Sequence, residues 1–483
     1  MGKAMGVGEN PNEGGFRELL HLSVPLMLTM AAITVNTFMD RLFLLWYSPE
    51  SGAAAMPGAM MSWTLIGVPM GIAAYINTFV AQYHGSGHPE RIGPAVWQGV
   101  WFSVVVSPIL LLAVPLAGPI FRIFGHAPSL LHQEVIYFQI LVYGGGMYVL
   151  GAALSSFYTG RGRTWTVLIV DASAVVFNCL LNLTLIFGTR GLTELASRDS
   201  VLAAFFLRVT SAFHWTIPEL GIRGAAMATV AAAGLRAAIY VLLFLSSDSR
   251  RKYATGQIRF DREIAVRLLR YGTPSGLTSV VDAASFTIFL LLIGHLGIRT
   301  MQATNMAFAV NSLAFMPIAG LQIGVATLVG RWIGRRKAEI ATRVTWNGQK
   351  MSFVYMGTLA IGYICFPDVF LLPFRSGMDP DEFASVSELT RMYMKFMGFY
   401  AVFDGMQMVF SGTLRGAGDT RFLFFAITIV SSVVVFACWL ALRLGCGSGV
   451  CWGLLTLWML TFTLVFGLRY RGGRWKRMRV IEV

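Results

Sequence analysis

Four carboxylates, Asp40, Asp171, Asp282 and Asp404, stand inside stretches otherwise apolar enough to cross a membrane. An ionised carboxylate costs about 2.5–3.5 kcal/mol at the centre of a membrane helix on insertion scales, so each marks a candidate functional position. Each also has polar neighbours at helical spacing. Asp404 is followed by Gln407 and Ser411, and Asp282 is flanked by Thr278, Ser279 and Ser285. Asp40 follows Thr29 and Asn36, and Asp171 precedes Asn178 and Asn182. In a helix each set falls on one face. Burial favours the protonated form of such an acid and a bound cation favours the charged form, so the chemistry on offer is exchange of H⁺ or a metal cation for another cation. The competing reading is that the stripes only join helices by hydrogen bonds worth about 1 kcal/mol each. Asn and Ser suffice for that role, whereas a carboxylate is a costly way to fill it.

The elements that carry these acids are membrane helices. Of 483 residues, 55% are hydrophobic and only 13% are charged, too apolar for a single soluble core. Apolar segments of about 20 residues, the length that spans a bilayer, recur about twelve times between short polar breaks. Helices are required because lipid-facing backbone must satisfy its own hydrogen bonds. The ninth and tenth spans are expected at 345–372 and 388–414. The first span carries Pro25, Asn36 and Asp40 and is too long for a cleaved leader.

The chain also repeats itself. LLHLSVP ending at Pro25 matches LLRYGTP ending at Pro274, an offset of 274 − 25 = 249. The same register pairs Gly71 with Gly320, Thr78 with Thr327, Gly85 with Gly334, Glu90 with Glu339 and Trp97 with Trp346. The turn at Thr159–Thr164 matches Arg415–Thr420 at an offset of 256. The expected architecture is an all-α polytopic protein of twelve transmembrane helices, in two six-helix lobes related by a parallel internal repeat. Its expected parts are a disordered 1–15, an N-lobe 16–246, a linker 247–263, a C-lobe 264–468 and a basic tail 469–483.

Net charge +14 does not point to nucleic acid, because the Lys and Arg residues collect in alternate loops and at both ends. That asymmetry marks the cytoplasmic side and places both termini there. The long outer connection 189–223 includes a segment, 199–214, expected to lie as an amphipathic helix at the interface. Cys446 and Cys451 share the last outer loop, where a disulfide and two free thiols both stay open. His84 and His88 have the spacing of a metal pair but face Ile333 and Lys337 in the second repeat, which favours a plain loop. Arg236 falls in mid-span, where it either snorkels to the interface or pairs with an N-lobe acid. Phe286 and Met408, with Met397 and Met406, are cleft candidates for flat hydrophobic cations. No nucleophile with a base, and no metal cluster, stands at membrane depth, which argues against an enzyme.

The turn GTLRGAGDTR with VFDGMQ before it, FNCLLNLTLIFG at Phe177–Gly188, and PELGIRGAAMAT at Pro218–Thr229 together resemble the MATE (multidrug and toxic compound extrusion) family, nearest its NorM-like branch. The resemblance runs from Phe16 to about Arg469. It implies an antiporter that exports organic cations or drugs in exchange for H⁺ or Na⁺, with no cofactor beyond the coupling ion. It further implies a monomer in the bacterial inner membrane. By this resemblance Asp40 and Asn178 belong to an N-lobe cation site, with Asn182 where some relatives have Asp. Asp282, where the branch usually has Glu, and Asp404 belong to a C-lobe site. Asn36, Asp171, Gln407, Phe286 and Met408 stand as cavity candidates, Asp171 at a position with no counterpart in the family pattern. A flippase for a lipid-linked precursor is the alternative, and it would need a basic cavity.

Overall fold

The computed structural model describes residues 13–122, 128–197, 217–375 and 380–482. Twelve helices are numbered here in chain order. They are α1 (Phe16–Tyr47), α2 (Pro49–Ala74, continuing after Tyr75 as Ile76–Ser86), α3 (Ile92–Leu111) and α4 (Pro128–Tyr143 with Gly145–Gly160). Next come α5 (Thr164–Ser197), α6 (Ile222–Phe244), α7 (Arg262–Gly294) and α8 (Ile298–Gly334). The last four are α9 (Ala338–Cys365), α10 (Pro380–Ala417), α11 (Thr420–Arg443) and α12 (Ser448–Arg471). Among the described residues nine spans are long and apolar enough to cross a membrane, and two bent pairs raise that to eleven. The twelfth is α10, diluted by Glu388, Arg391 and Lys395 toward its start and by Asp404, Gln407 and Ser411 further on.

The breaks have local causes. Helix α4 bends by 43° at Gly144, and Gly188 in α5 adopts φ 60°, a left-handed conformation that glycine alone takes without strain. The ninth span differs from expectation: α9 ends at Cys365, and Pro367–Arg375 is a separate helix set off by 77°. Proline at that start lacks the N–H that would continue the preceding helix, so residues 367–372 do not extend it. The interfacial helix expected at 199–214, and residues 1–12 of the segment 1–15 expected to be disordered, lie outside the described residues.

The two lobes obey a two-fold pseudo-symmetry that is visible atom by atom. A Cβ on Gly71 would sit 2.7 Å from Gly276 Cα, and one on Gly320 would sit 2.5 Å from Met27 N. Adding 249 to 71 and subtracting it from 276 turns the first contact into the second. Likewise a Cβ on Gly85 would lie 1.9 Å from the Arg331 carbonyl oxygen, and one on Gly334 2.2 Å from that of Gln82. Reciprocal contacts of this kind define an isologous interface. Glycine is needed at these positions because the backbones touch. Helix α1 packs on α8 and α2 packs on α7, while inside the lobes α1 on α5 mirrors α7 on α11.

The two ends of the described chain lie at the same end of the bundle, the end expected to face the cytoplasm and termed the inner end below. Leu19, Leu22 and Leu26 of α1 insert into the C-lobe core, and Ile264 and Leu268 of α7 insert into the N-lobe core. The seal continues in polar form. Tyr75 Oη donates to the Arg415 carbonyl (3.2 Å), Gln82 Nε2 to that of Gly416 (3.0 Å), and Asn77 Nδ2 to Thr327 Oγ1 (3.0 Å). Arg331 of α8 donates to the Arg161 carbonyl (3.0 Å) and pairs with Glu18 (3.5 Å). The tail then crosses back. Val480 and Ile481 are buried in the N-lobe core, the Val480 N–H donates to Gln82 Oε1 (2.9 Å), and Glu482 pairs closely with Arg267.

Candidate functional site

In the N-lobe, α1, α5 and α6 converge on Asp40. Close approach is built in: a Cβ on Gly224 of α6 would lie 2.4 Å from the Leu185 carbonyl of α5. The spacing of Asp171, Asn178 and Asn182 turns all three toward this junction. Asn182 Nδ2 donates to Asp40 Oδ1 (2.5 Å) and to Asn178 Oδ1 (2.8 Å), and Asn36 Nδ2 donates to Asp40 Oδ2 (3.3 Å). With the Asn178 amide turned over, its nitrogen lies 2.7 Å from Asp40 Oδ1 and 3.0 Å from Asn36 Oδ1, and its oxygen accepts from the Thr229 N–H (3.2 Å). Asp40 therefore sits in a cage of amides, buried like Asn178 and Asn182. Asn182 Oδ1 is buried with no hydrogen-bond partner among the described residues.

A cavity of about 260 Å³ opens beside this cage, lined by Asn36, Asp40, Asp171, Asn178, Trp63, Tyr148, Arg41 and Arg236 among others. At its other end Tyr240 Oη donates to Asp171 Oδ1 (2.9 Å), and Arg236 Nη1 stands 4.0 Å from Asp171 Oδ2. Arg236 thus pairs with an acid rather than snorkelling. The sequence reading passed over Arg41, Thr229 and Tyr240. Tyr240 had a usable signal, one helical turn past Arg236 and so on the same face.

In the C-lobe, Asp404 is 8% exposed and accepts from Gln407 Nε2 (3.0 Å). Neighbouring helices brace α10 around it: Thr463 Oγ1 donates to the Phe403 carbonyl (2.8 Å) and Gln349 Nε2 to that of Met406 (3.0 Å). Ser411, on the same stripe, accepts from Gln322 Nε2 (3.2 Å). Asp282 is exposed, six residues outward of the Gly276 contact, and the charge it faces is that of Arg415. No hydrogen bond joins Asp282 to Asp404 among the described residues. Phe286, one turn beyond Asp282, is edge-on to Phe308 (centroids 4.8 Å apart), which stacks on Trp452. Met408 and Met397 are buried in the C-lobe core.

Elsewhere His88 Nδ1 meets Glu90 (3.0 Å), and no group of three metal-ligating side chains occurs among the described residues. All five cysteines are free. The thiol that Cys451 meets is that of Cys438, across α11 and α12, not that of Cys446.

The same chain is similar to known proteins over nearly its whole length. A probable multidrug resistance protein NorM of Xylella fastidiosa is 23% identical over 473 residues, covering 94% of this chain and 91% of that protein. A multidrug resistance protein NorM of Burkholderia vietnamiensis is 26% identical over 437 residues, covering 90% and 89%. A solved outward-facing multidrug resistance MATE family transporter superposes with a TM-score of 0.81 at 16% identity, covering 96% of this chain and 97% of that one. The MatE family model matches twice, at residues 25–184 and 274–440, and the two copies start 274 − 25 = 249 residues apart, the period of the internal repeat. A multi-pass helical membrane protein with that duplication, and with a buried acid inside each lobe, belongs to the MatE transporter family.

Proposed function

We propose that the protein is a secondary active antiporter that exports organic cations and drugs in exchange for H⁺ or Na⁺. It works as a monomer in the bacterial inner membrane with both termini cytoplasmic. The observation that carries this reading is Asp40, a buried carboxylate whose hydrogen-bond partners among the described residues are amides, at the edge of a cavity large enough for a small organic molecule. A proton, a sodium ion and a substrate ammonium compete for such a group, and each favours a different arrangement of the lobes. With amide nitrogens turned inward the cage stabilises the bare carboxylate. With Asn36, Asn178 and Asn182 turned over it offers oxygens to a sodium ion. A monovalent ion moving inward gains about 2.3 kcal/mol per 100 mV, which is available to drive export. The relatives named for multidrug resistance support the same direction of transport. The flippase alternative needs a basic cavity, and here Asp40 and Asp171 balance Arg41 and Arg236.

The test is uptake of an organic cation into everted vesicles under separate H⁺ and Na⁺ gradients, with Asp40→Asn, Asp282→Asn and Asp404→Asn beside the unmodified protein. One gradient drives uptake, and each substitution lowers coupled uptake at least tenfold. Undiminished coupling in all three variants refutes the site assignment, and failure of both gradients refutes the antiport reading.

A further inference from the structure

Arg236 sits in mid-span on α6, and a guanidinium at the centre of a membrane helix costs about 2.5–3.5 kcal/mol on insertion scales. Its surroundings do not use up its hydrogen-bonding capacity. The nearest carboxylate oxygen, Asp171 Oδ2, stands 4.0 Å from Nη1, while the other Asp171 oxygen already accepts from Tyr240. Arg236 Nε is buried with no hydrogen-bond partner among the described residues. The guanidinium lies against Gly151, where a Cβ would come within 2.8 Å of Nη2, and the side chain keeps 20% exposure. A planar fork of five donors held in this way is matched to a carboxylate.

The opposite end of the same cavity carries the opposite charge. Asp40 lies at the level of Asn178 and Asn182, and Arg236 at the level of Asp171. Asp171 and Asn178 are seven residues apart on α5, about 10 Å along the axis. Between the ends stands Tyr148, within electrostatic reach of both Asp40 and Arg236 and 6.4 Å from Trp63 between ring centroids. The cavity is thus an acid, an aromatic wall and a guanidinium loosely paired with Asp171 in sequence.

We propose that Arg236 is the anion-recognising end of the N-lobe cavity, so that the cavity selects aromatic substrates carrying a carboxylate at a distance from their ammonium group. This inference rests on the reading of the protein as a transporter of organic cations, and it narrows that class to zwitterions of a given span. Asp40 takes the ammonium, and the guanidinium gains the charge-assisted partner that Asp171 supplies only at arm's length.

A matched pair of fluorescent probes tests it by direct binding to the purified protein. Nα-dansyl-lysine has an ammonium and a carboxylate four methylenes apart, and dansylcadaverine is the same molecule without the carboxylate. Nε-dansyl-lysine places the two charges on one carbon. The unmodified protein binds Nα-dansyl-lysine more tightly than either of the others. Arg236→Gln weakens Nα-dansyl-lysine by roughly 10- to 100-fold, the range for losing a hydrogen bond to a charged group, and leaves dansylcadaverine within about threefold. The double variant Asp171→Asn/Arg236→Gln, which restores charge balance, keeps that selective loss. Retained dansylcadaverine binding and a monodisperse elution profile show that the variants are folded. The inference is overturned if the unmodified protein does not prefer Nα-dansyl-lysine, if Arg236→Gln weakens both amines equally, or if the double variant binds like the unmodified protein. The last result would mean that Arg236 only balances Asp171. Failure of the unmodified protein to bind dansylcadaverine at all counts against the transporter reading as well, whereas loss of preference alone leaves that reading standing.

Discussion

At Asp40 the carboxylate is held by amide nitrogens from two helices, Asn36 one turn away on α1 and Asn182 across on α5. The hydrogen bond from Asn182 is the shorter and is fully buried, so it carries more of the stabilisation. Hydrogen bonds to a charged group contribute about 1.5–3 kcal/mol, and removing one partner leaves the other unsatisfied. Asn182→Ala therefore lowers ion-coupled transport about tenfold or more, while Asn36→Ala has the smaller effect. Coupled uptake in vesicles with matched protein content orders the two variants. The reverse order would show that the cage is not arranged as described. At Asp404 the single side-chain donor among the described residues is Gln407, so Gln407→Leu is expected to impair C-lobe coupling while leaving the braces from Thr463 and Gln349 in place.

At the level of elements, the inner seal depends on helices that touch backbone to backbone. Gly85→Ala places a methyl group 1.9 Å from the Arg331 carbonyl, so the inner ends cannot close without a shift. Gly334→Ala meets the symmetry-related clash with Gln82, and both variants are expected to lose transport at least tenfold while remaining folded. Spin-label distances between cysteines introduced at exposed Arg91 and Arg421 should lengthen in both; unchanged distances would contradict the account. The tail is a second element of the seal. Burying Val480 and Ile481 stabilises the closed arrangement by about 1.5–3 kcal/mol per side chain at most, so truncation after Met478 lengthens the same distances. Glu482 adds a pH term: its hydrogen bond from Arg267 holds its carboxyl below the usual range. A depressed folded value means the contact is present above the ordinary carboxylate range and is lost as pH falls through that lower value. Much of this was legible in sequence. The period of 249 announced the duplication, and the polar stripes on α1, α5 and α10 announced which faces turn inward. The docking of the tail was not legible, because two apolar residues after a basic run carry no periodicity. Met408 had no signal to separate core from cleft, since helical spacing alone does not say which neighbour a face meets. Helix α10 was legible as the expected span 388–414, although Glu388, Arg391 and Lys395 dilute its apolar character.

Across the whole molecule the scaffold is duplicated but the chemistry is not. The N-lobe counterpart of Asp282 is Ile33 (282 − 249), and the C-lobe counterpart of Asp40 is Phe289 (40 + 249), fully buried in the core. At the offset of the second half of the repeat, Asp404 corresponds to Tyr148 (404 − 256), a wall of the N-lobe cavity. One ancestral fold thus carries two unlike acid sites, and the two-fold interface packs both lobes together at the inner end. Independent sites in the two lobes predict that Asp40→Asn and Asp404→Asn impair coupling separately, with a double variant worse than either alone, as titration of ion dependence in the three proteins would show. The most direct measurement is of exchange itself, in proteoliposomes with a pH-sensitive dye and a sodium indicator trapped inside. Addition of an outward organic-cation gradient should drive H⁺ or Na⁺ inward in proportion to the cation leaving, and Asp40→Asn should lower that ion movement about tenfold or more. Organic-cation efflux with no accompanying ion flux, or an ion flux that survives Asp40→Asn unchanged, would contradict it.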